Sequence, residues 1–207
     1  MSGSWAFSVT SKTPFRKLLP RLYPDSLYWR LTESRKSGAL LITQRKCVAW
    51  VAKLVSMNKQ PNSEMCFVCG RSNPVGLYMQ FYDDGDLEVV SEYTIPAHYQ
   101  GYPGVAHGGV LAAMLDEVVA RVSMIGDHHH FMMSVKLQVL FRHPVPVETP
   151  LKVIGRILRM RGRLGKAEGK IILPDGTVAC ESLMSLVDVP KELLSSTNPK
   201  LLNWKLD

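Results

Sequence analysis

The sequence predicts an α+β domain in which an antiparallel sheet wraps around one long helix. Residues 77–95 alternate between apolar and other side chains around a turn-forming sequence, as in a β-hairpin. Residues 108–125 lack proline and are rich in alanine, leucine, methionine and valine, as in a helix. Four further segments up to residue 187 have strand character. One helix among antiparallel strands buries its apolar stripe against the sheet.

The strands are predicted from period-2 patterns and from turn sequences. Leu77, Met79 and Phe81 precede an Asp-Asp-Gly-Asp turn at 83–86, and an extended run follows at 87–95. After the helix, a Pro-Asp-Gly-Thr turn joins the last two predicted strands, because proline fixes one torsion and glycine accepts a positive one. The predicted strands after the helix are 132–141, 151–160, 166–173 and 178–187.

The predicted helix has two different sides. At 3.6 residues per turn, one arc is apolar and is expected to face the sheet; it contains Val110, Leu111, Met114, Leu115, Val118, Val122 and Ile125. The opposite side has small residues around one carboxylate, that of Asp116; they are Ala112, Ala113, Ala120 and Ser123. Small residues there indicate close approach by another chain or a ligand. A solvated aspartate on an exposed face is the alternative interpretation.

The helix begins with His107, Gly108 and Gly109. Two glycines weaken a helix start, so their presence indicates that the backbone there must be free of side chains and open to close approach. Free N–H groups and the positive end of the helix dipole can bind an anion or an oxyanion. Asp116 lies seven residues after Gly109, roughly 10 Å along the axis. An aspartate from a second, antiparallel helix would therefore approach the glycines more easily.

The net charge of +7 comes from the N-terminal segment and not from the predicted domain. Residues 1–60 contain eleven Lys/Arg and two Asp/Glu, a balance of +9, and the other 147 residues contain 14 and 16, a balance of −2. The basicity therefore does not favour nucleic-acid binding by the main domain. With 46% apolar and 21% charged residues the chain is not mostly disordered, and no apolar run reaches about 18 residues, so no membrane span is predicted.

Three segments are predicted: a basic N-terminal extension at 1–60, one domain at 61–190 and a C-terminal tail at 191–207. Three interpretations of the first 56 residues are open. They form a targeting presequence, since they are basic and poor in acid; they form a small module that binds an acidic partner; or they do not belong to the natural protein, whose start would be Met57. The predicted location is cytoplasmic, or mitochondrial if the extension is a presequence.

The cysteines Cys47, Cys66, Cys69 and Cys180 are too few for a disulfide scaffold, which favours a reducing compartment. Cys66 and Cys69 have metal-binding or redox spacing, but a structural zinc site needs four ligands and the sequence has no second Cys-x-x-Cys. Cys180 together with one of His128, His129 and His130 could complete such a site. We predict no metal and no cofactor, with zinc as the alternative.

Several motifs together carry a family resemblance. They are His-Gly-Gly at 107–109 followed by Asp116, Tyr-Gln-Gly-Tyr-Pro-Gly at 99–104, Cys-Phe-Val-Cys-Gly at 66–70 with Asn-Pro-Val-Gly-Leu at 73–77, and Phe-Arg-His-Pro-Val at 141–145. Over about residues 64–188 the chain resembles the hotdog-fold acyl-CoA thioesterases of the phenylacetyl-CoA thioesterase (PaaI-like) type.

The resemblance implies a hotdog fold that forms a homodimer or a dimer of dimers with shared active sites. The implied reaction is hydrolysis of an acyl-CoA thioester to a free acid and CoA. Asp116 would act as general base or nucleophile, and the backbone N–H of Gly108 or Gly109 would polarise the thioester carbonyl. His107 would shape the loop rather than carry the proton.

Further site residues follow from the same resemblance. Gln100 matches an amide near the thioester, and Ser134 matches a hydroxyl that holds the water. Basic side chains suit the CoA phosphates, and the candidates are Arg142, Arg161 and Arg163. In the alternative interpretation Gln100 caps its loop and the arginines form a solvated face.

Two rival functions remain open. One is a non-catalytic, acyl-CoA-binding regulator whose basic N-terminal segment binds DNA, although that segment lacks the two amphipathic helices of a helix-turn-helix. The other is a hotdog hydratase or dehydratase, whose Asp/His arrangement is not found in this sequence. The leading expectation is a metal-free thioesterase that binds neither nucleic acid nor membrane.

Overall fold

A computed structural model describes residues 57–190, 192–193 and 205–206. Helix α1 spans Gly108–Ala120 and continues into a 3-10 turn at Arg121–Met124. The strands are β1 (Asn58–Lys59), β2 (Tyr82–Asp83), β3 (Glu88–Thr94), β4 (Gln100–Tyr102), β5 (Val105–Ala106), β6 (Met132–Phe141), β7 (Pro150–Arg161), β8 (Leu164–Ile172) and β9 (Val178–Asp188).

Seven strands form one antiparallel sheet in the order β1-β2-β3-β7-β8-β9-β6, and β4 and β5 form a separate small ladder. Helix α1 packs on one face of the large sheet, where its side chains join those of β7, β8 and β9 in the core. The predicted fold class, an antiparallel hotdog sheet around one central helix, is confirmed. Strand β6, the first after the helix, lies at one edge.

The first predicted hairpin exists, but its first strand is shorter than predicted. Leu77, Met79 and Phe81 are buried, as the alternation required. The backbone there pairs with the Cys-x-x-Cys segment instead of β3: the N–H of Leu77 donates to the carbonyl of Phe67 at 2.8 Å, and that of Met79 to Val68 at 2.9 Å. A period-2 pattern fixes which side chains are buried and does not fix the strand that the backbone contacts.

The helix lies very close to the sheet because two strands carry glycine beneath it. A Cβ atom at Gly155 of β7 would lie 2.3 Å from the carbonyl oxygen of Val118, and one at Gly169 of β8 would lie 2.6 Å from Cγ2 of Val119. Val119, outside the predicted apolar arc, is therefore buried as well. Most of the predicted arc is buried; Val110 and Ile125 are half-buried.

Most of the extension predicted at 1–60 lies outside the described residues. Its last residues do contribute to the domain: β1 joins the sheet edge, and the buried Gln60 donates its amide N–H to Oδ2 of Asp83 at 3.0 Å. The tail predicted at 191–207 is described at four positions only. Across the described part of the chain, no helix combines the length and apolar character that crossing a membrane requires.

Replacing Gly155 with alanine is expected to lower the free energy of unfolding by about 1–3 kcal/mol, because the helix backbone would have to move away from β7. Denaturant unfolding followed by far-ultraviolet circular dichroism measures this. The matched control is Gly108→Ala, whose new Cβ would meet the Phe141 ring at an ordinary 3.6 Å. Equal losses in the two variants would contradict the role assigned to the close helix–sheet contact.

Candidate active site

His107 organises the start of α1. Its backbone is extended, and its ring Nδ1 accepts the N–H of Gly109 at 3.0 Å, so it is the N-cap residue. Its carbonyl accepts the N–H groups of Val110 and Leu111, which closes the first turn. Among the described residues, the N–H of Gly108 has no hydrogen-bond partner. The helix therefore presents one free backbone donor at its positive end, at a residue that lies close to the ring of Phe141.

The loop before the helix is held by its own hydrogen bonds. Gln100 accepts the N–H of Gly104 on its Oε1 at 2.9 Å. The N–H of His107 donates to the carbonyl of Tyr99 at 2.9 Å. A Cβ atom at Gly101 would lie 3.2 Å from Cδ2 of His107, so glycine permits the histidine to pack on this loop. The amide oxygen of Gln100 is thus used within the loop, and its NH₂ group is the part that can act as a donor to a ligand.

The structure brings Asp116 and Ser134 together. The hydroxyl of Ser134 on β6 donates to Oδ1 of Asp116 at 2.6 Å, and both residues are half-buried. The same hydroxyl lies 3.2 Å from Sδ of Met184. This pair joins the middle of the helix to the first part of the edge strand. The small residues on this side of the helix do not form an open face, because Ala113 and Ala120 pack against the core and Ser123 is buried.

A β-bulge in β6 allows Ser134 to contact Asp116 while the apolar residues later in the strand still pack in the core. The register with β9 shifts between Ser134 and Lys136, so Val135 is the extra residue. Before the bulge, Ser134 faces the helix; after it, Leu137 and Val139 pack against the core. Strict alternation would have turned residues 136, 138 and 140 inward instead.

The glycine start and the carboxylate do not converge within one chain. Gly108 and Asp116 lie eight residues apart on one continuous helix, which corresponds to about 12 Å along its axis. Within one chain, the free N–H at the helix start and the Asp116 carboxylate are therefore too far apart to contact the same small group.

The three predicted arginines lie at two ends of the sheet. Arg142 follows the end of β6, and both its Nε and Nη2 lie 2.6 Å from Oε2 of Glu181. Arg161 and Arg163 flank the turn between β7 and β8, where Arg163 approaches Asp188 at 4.0 Å. Asp188 is aligned with the first residue of β6, so the two groups are separated by roughly 30 Å of strand.

A second cluster combines the Cys-x-x-Cys pair with a residue that was not predicted to join it. One ligand atom from each of Cys66, Cys69 and Glu117 lies within 4.8 Å of the other two. Glu117 is the third member of the cluster; neither Cys180 nor a histidine is. Within the described residues, His128 and His130 instead approach carboxylates elsewhere. Glu117 and Arg121 have the i,i+4 spacing of a helical ion pair, and this spacing was the sequence feature that could have drawn attention to Glu117.

The thiols of the cluster have unequal acidities. A hydrogen bond with the Cys66 thiol lowers the pKa of Cys69 to about 7, helped by the positive charge of Arg121 and opposed by burial. The same hydrogen bond, burial and the negative charge of Glu117 raise the pKa of Cys66 far above its usual range. Burial alone raises the pKa of Cys180 to about 11. The hydrogen bond between the two thiols therefore favours ionisation of Cys69 over that of Cys66.

A comparison with known families matches residues 103–180 to the family model described as Thioesterase superfamily. Acyl-coenzyme A thioesterase THEM4 of Mus musculus is 26% identical over 136 residues, which is 65% of this chain and 58% of the relative. Acyl-coenzyme A thioesterase THEM5 of Homo sapiens is 31% identical over 72 residues, 35% of this chain and 28% of the relative. The chain thus spans well under two thirds of these relatives.

Solved structures show the same fold. The crystal structure of protein RHA08564, a thioesterase superfamily protein, aligns with a TM-score of 0.54 at 23% identity, over 76% of this chain and 86% of that one. The Escherichia coli PaaI protein from the phenylacetic acid degradation operon aligns with a TM-score of 0.50 at 15% identity, over 55% and 81%. At these identities the likeness concerns the fold.

Replacing His107 with alanine is expected to lower the free energy of unfolding by about 1 kcal/mol, because the N–H of Gly109 loses its cap. The control His107→Asn supplies another side-chain acceptor at the same position and should retain most of the stability. Thermal and denaturant unfolding of the three proteins measures the difference. Equal stability of the alanine and asparagine variants would show that the histidine ring does not act as a cap.

Proposed function

We propose that this domain is a hotdog-fold thioesterase that hydrolyses acyl-CoA thioesters to a free acid and CoA. The observation that carries the proposal is the half-buried Asp116 carboxylate, which is oriented by the Ser134 hydroxyl at 2.6 Å on the small-residue side of the helix. A carboxylate held in this way can accept a proton from water. The names of the curated relatives supply the substrate class.

In the proposed reaction, Asp116 removes a proton from a water molecule as the water oxygen bonds to the thioester carbonyl carbon. The carbonyl oxygen becomes an oxyanion, which is stabilised by a backbone N–H at the positive end of α1. When the carbonyl reforms, the carbon–sulfur bond breaks, CoA leaves as a thiolate and takes up the proton, and the acid remains. The Ser134 hydroxyl positions the carboxylate and the water.

Gly108 is the better candidate for the oxyanion donor. The N–H of Gly109 already donates to His107, whereas the described residues offer no acceptor for that of Gly108. The NH₂ group of Gln100, whose oxygen is engaged with Gly104, remains a second candidate donor to the substrate. His107 keeps a positioning role in this scheme.

A second copy of the chain would complete the site. Strand β6 is a sheet edge, and edges with exposed apolar side chains favour pairing with another strand; those exposed on β6 are Met133, Val135, Leu140 and Phe141. Antiparallel pairing of two β6 strands about a two-fold axis would also bring the two helices side by side. The carboxylate of one copy could then approach the glycine start of the other.

The positions of the arginines favour Arg142 as the CoA contact for the site at the helix start. It follows Phe141, whose ring lies over Gly108. Arg161 and Arg163 lie at the far end of β6, where in a dimer they would belong to a different part of the shared site.

Replacing Asp116 with asparagine is expected to lower kcat for acyl-CoA hydrolysis by a factor of about 10²–10⁴, because the amide cannot accept the proton from water. Ser134→Ala should lower kcat by about tenfold, the effect of losing one hydrogen bond to a charged group. Release of free CoA thiol from a panel of acyl-CoA substrates measures both. The control Asp86→Asn, in an exposed turn, should retain full activity.

Two outcomes would contradict this assignment. Unchanged turnover in a folded Asp116→Asn protein would remove the proposed base. Stoichiometric acyl-CoA binding by the unaltered protein without any thiol release would favour the regulator instead.

Replacing Val135 or Leu140 with lysine is expected to dissociate the dimer, because each substitution places a charge on the proposed joining edge. Light scattering coupled to size-exclusion chromatography measures the mass. The control Leu158→Lys changes an exposed apolar residue of β7, which is an interior strand of the sheet. If only this control lowered the mass, the interface would lie on the sheet face and not on the β6 edge.

A further inference from the structure

A cluster of soft ligands lies beside the helix and has no part in the proposed hydrolysis. Cys69 is fully buried, Cys66 and Glu117 are half-buried, and their ligand atoms lie within 4.8 Å of one another. Cysteine thiolates and glutamate carboxylates are both ligands that zinc accepts. We propose that Cys66, Cys69 and Glu117 bind one zinc ion.

The backbone around the two cysteines is shaped to hold thiolates. The N–H groups of Val68 and Cys69 both point at Sγ of Cys66, at 3.3 and 3.5 Å. The N–H of Gly70 donates to the Cys66 carbonyl at 2.9 Å, and a Cβ atom at Gly70 would lie only 2.2 Å from that oxygen. The segment is a tight turn that requires glycine at 70. Hydrogen bonds to a ligand sulfur orient it and offset its negative charge.

Glu117 presents one oxygen to the cluster because the other is held. The Nε of Arg121 donates to Oε1 at 2.8 Å, while Oε2 lies 3.5 Å from Sγ of Cys66. Arg121 is itself fixed: it is 2% exposed, its Nη1 donates to the Pro61 carbonyl at 3.1 Å and its guanidinium lies 4.2 Å above the Phe81 ring. This is the arrangement in which an outer residue orients a metal-ligating carboxylate.

Charge favours a divalent ion in this place. A bound metal displaces the proton of a thiol ligand, so in the metal-bound site two thiolates and Glu117 carry three negative charges and Arg121 carries one positive charge. A Zn²⁺ ion brings the sum to zero, which a largely buried site requires. A fourth position remains for the Ser63 hydroxyl, which lies 3.8 Å from Sγ of Cys69, or for a water reaching the half-buried Cys66 side.

The location gives the ion a structural role. The cysteine turn pairs with the backbone at Leu77 and Met79, and Glu117 follows Asp116 on α1. A zinc ion would therefore fasten the N-terminal segment of the domain to the helix that carries the proposed base. Zinc removal would loosen that segment without removing any reacting group.

The test uses the full-length chain, purified with a reductant and free zinc and then dialysed. Elemental analysis is expected to find about one zinc per chain, and a chelator should lower the melting temperature. Cobalt titration of the metal-free protein should give the near-ultraviolet charge-transfer band of thiolate ligands. Cys66→Ser and Cys69→Ser should lose the metal and the band, and Glu117→Gln should bind at least tenfold more weakly.

The matched control is Cys180→Ser, which removes a buried cysteine outside the cluster and should keep full zinc content. Zinc content near zero and no cobalt band in the reduced, unaltered protein would overturn the proposal. So would unchanged zinc in a folded Cys69→Ser protein. A Cys66–Cys69 disulfide that, once reduced, still binds no metal would assign the pair to redox chemistry instead. These readouts do not depend on thioesterase activity.

Discussion

The close contact between α1 and the sheet is the constraint on which the other features depend. Gly155 and Gly169 let the helix backbone reach β7 and β8, and any larger residue there would push the helix outward. Only at this distance can Asp116 meet the hydroxyl of Ser134, because that bond joins the helix to the adjacent edge strand. The same position of the helix sets Glu117 against the cysteine turn. The packing of two glycines therefore positions both the proposed base and the proposed metal ligand.

The helix combines three different roles along a short length. Its first turn, capped by His107, offers a backbone donor; its middle carries the carboxylate; and the residue after that carboxylate faces the cysteines. These groups point in different directions because successive residues are turned by about 100°. A rigid element with separate faces can serve a reaction on one side and an anchoring site on another.

Much of the fold was predictable because it depends on local patterns. The strand character of 132–141 and 178–187 and the proline-free run from 108 are properties of neighbouring residues, and the strands and helix lie there. The family resemblance singled out Ser134, but its bond to Asp116 depends on a register shift that no single-strand pattern shows. Glu117 was missed as a partner of Cys66 because the two are far apart in the chain and meet only through the packing of the helix.

The bulge at Val135 divides β6 into two halves whose side-chain phases are independent. The first half presents a hydroxyl to the carboxylate, and the second presents Leu137 and Val139 to the core. Deleting Val135 would remove the extra residue and leave Ser134 and Leu137 two positions apart, so that a regular strand would keep both on the inner face. Deleting Gln138 instead would turn Leu137 or Val139 away from the core. The strand should therefore tolerate the loss of one residue at the bulge better than in its second half.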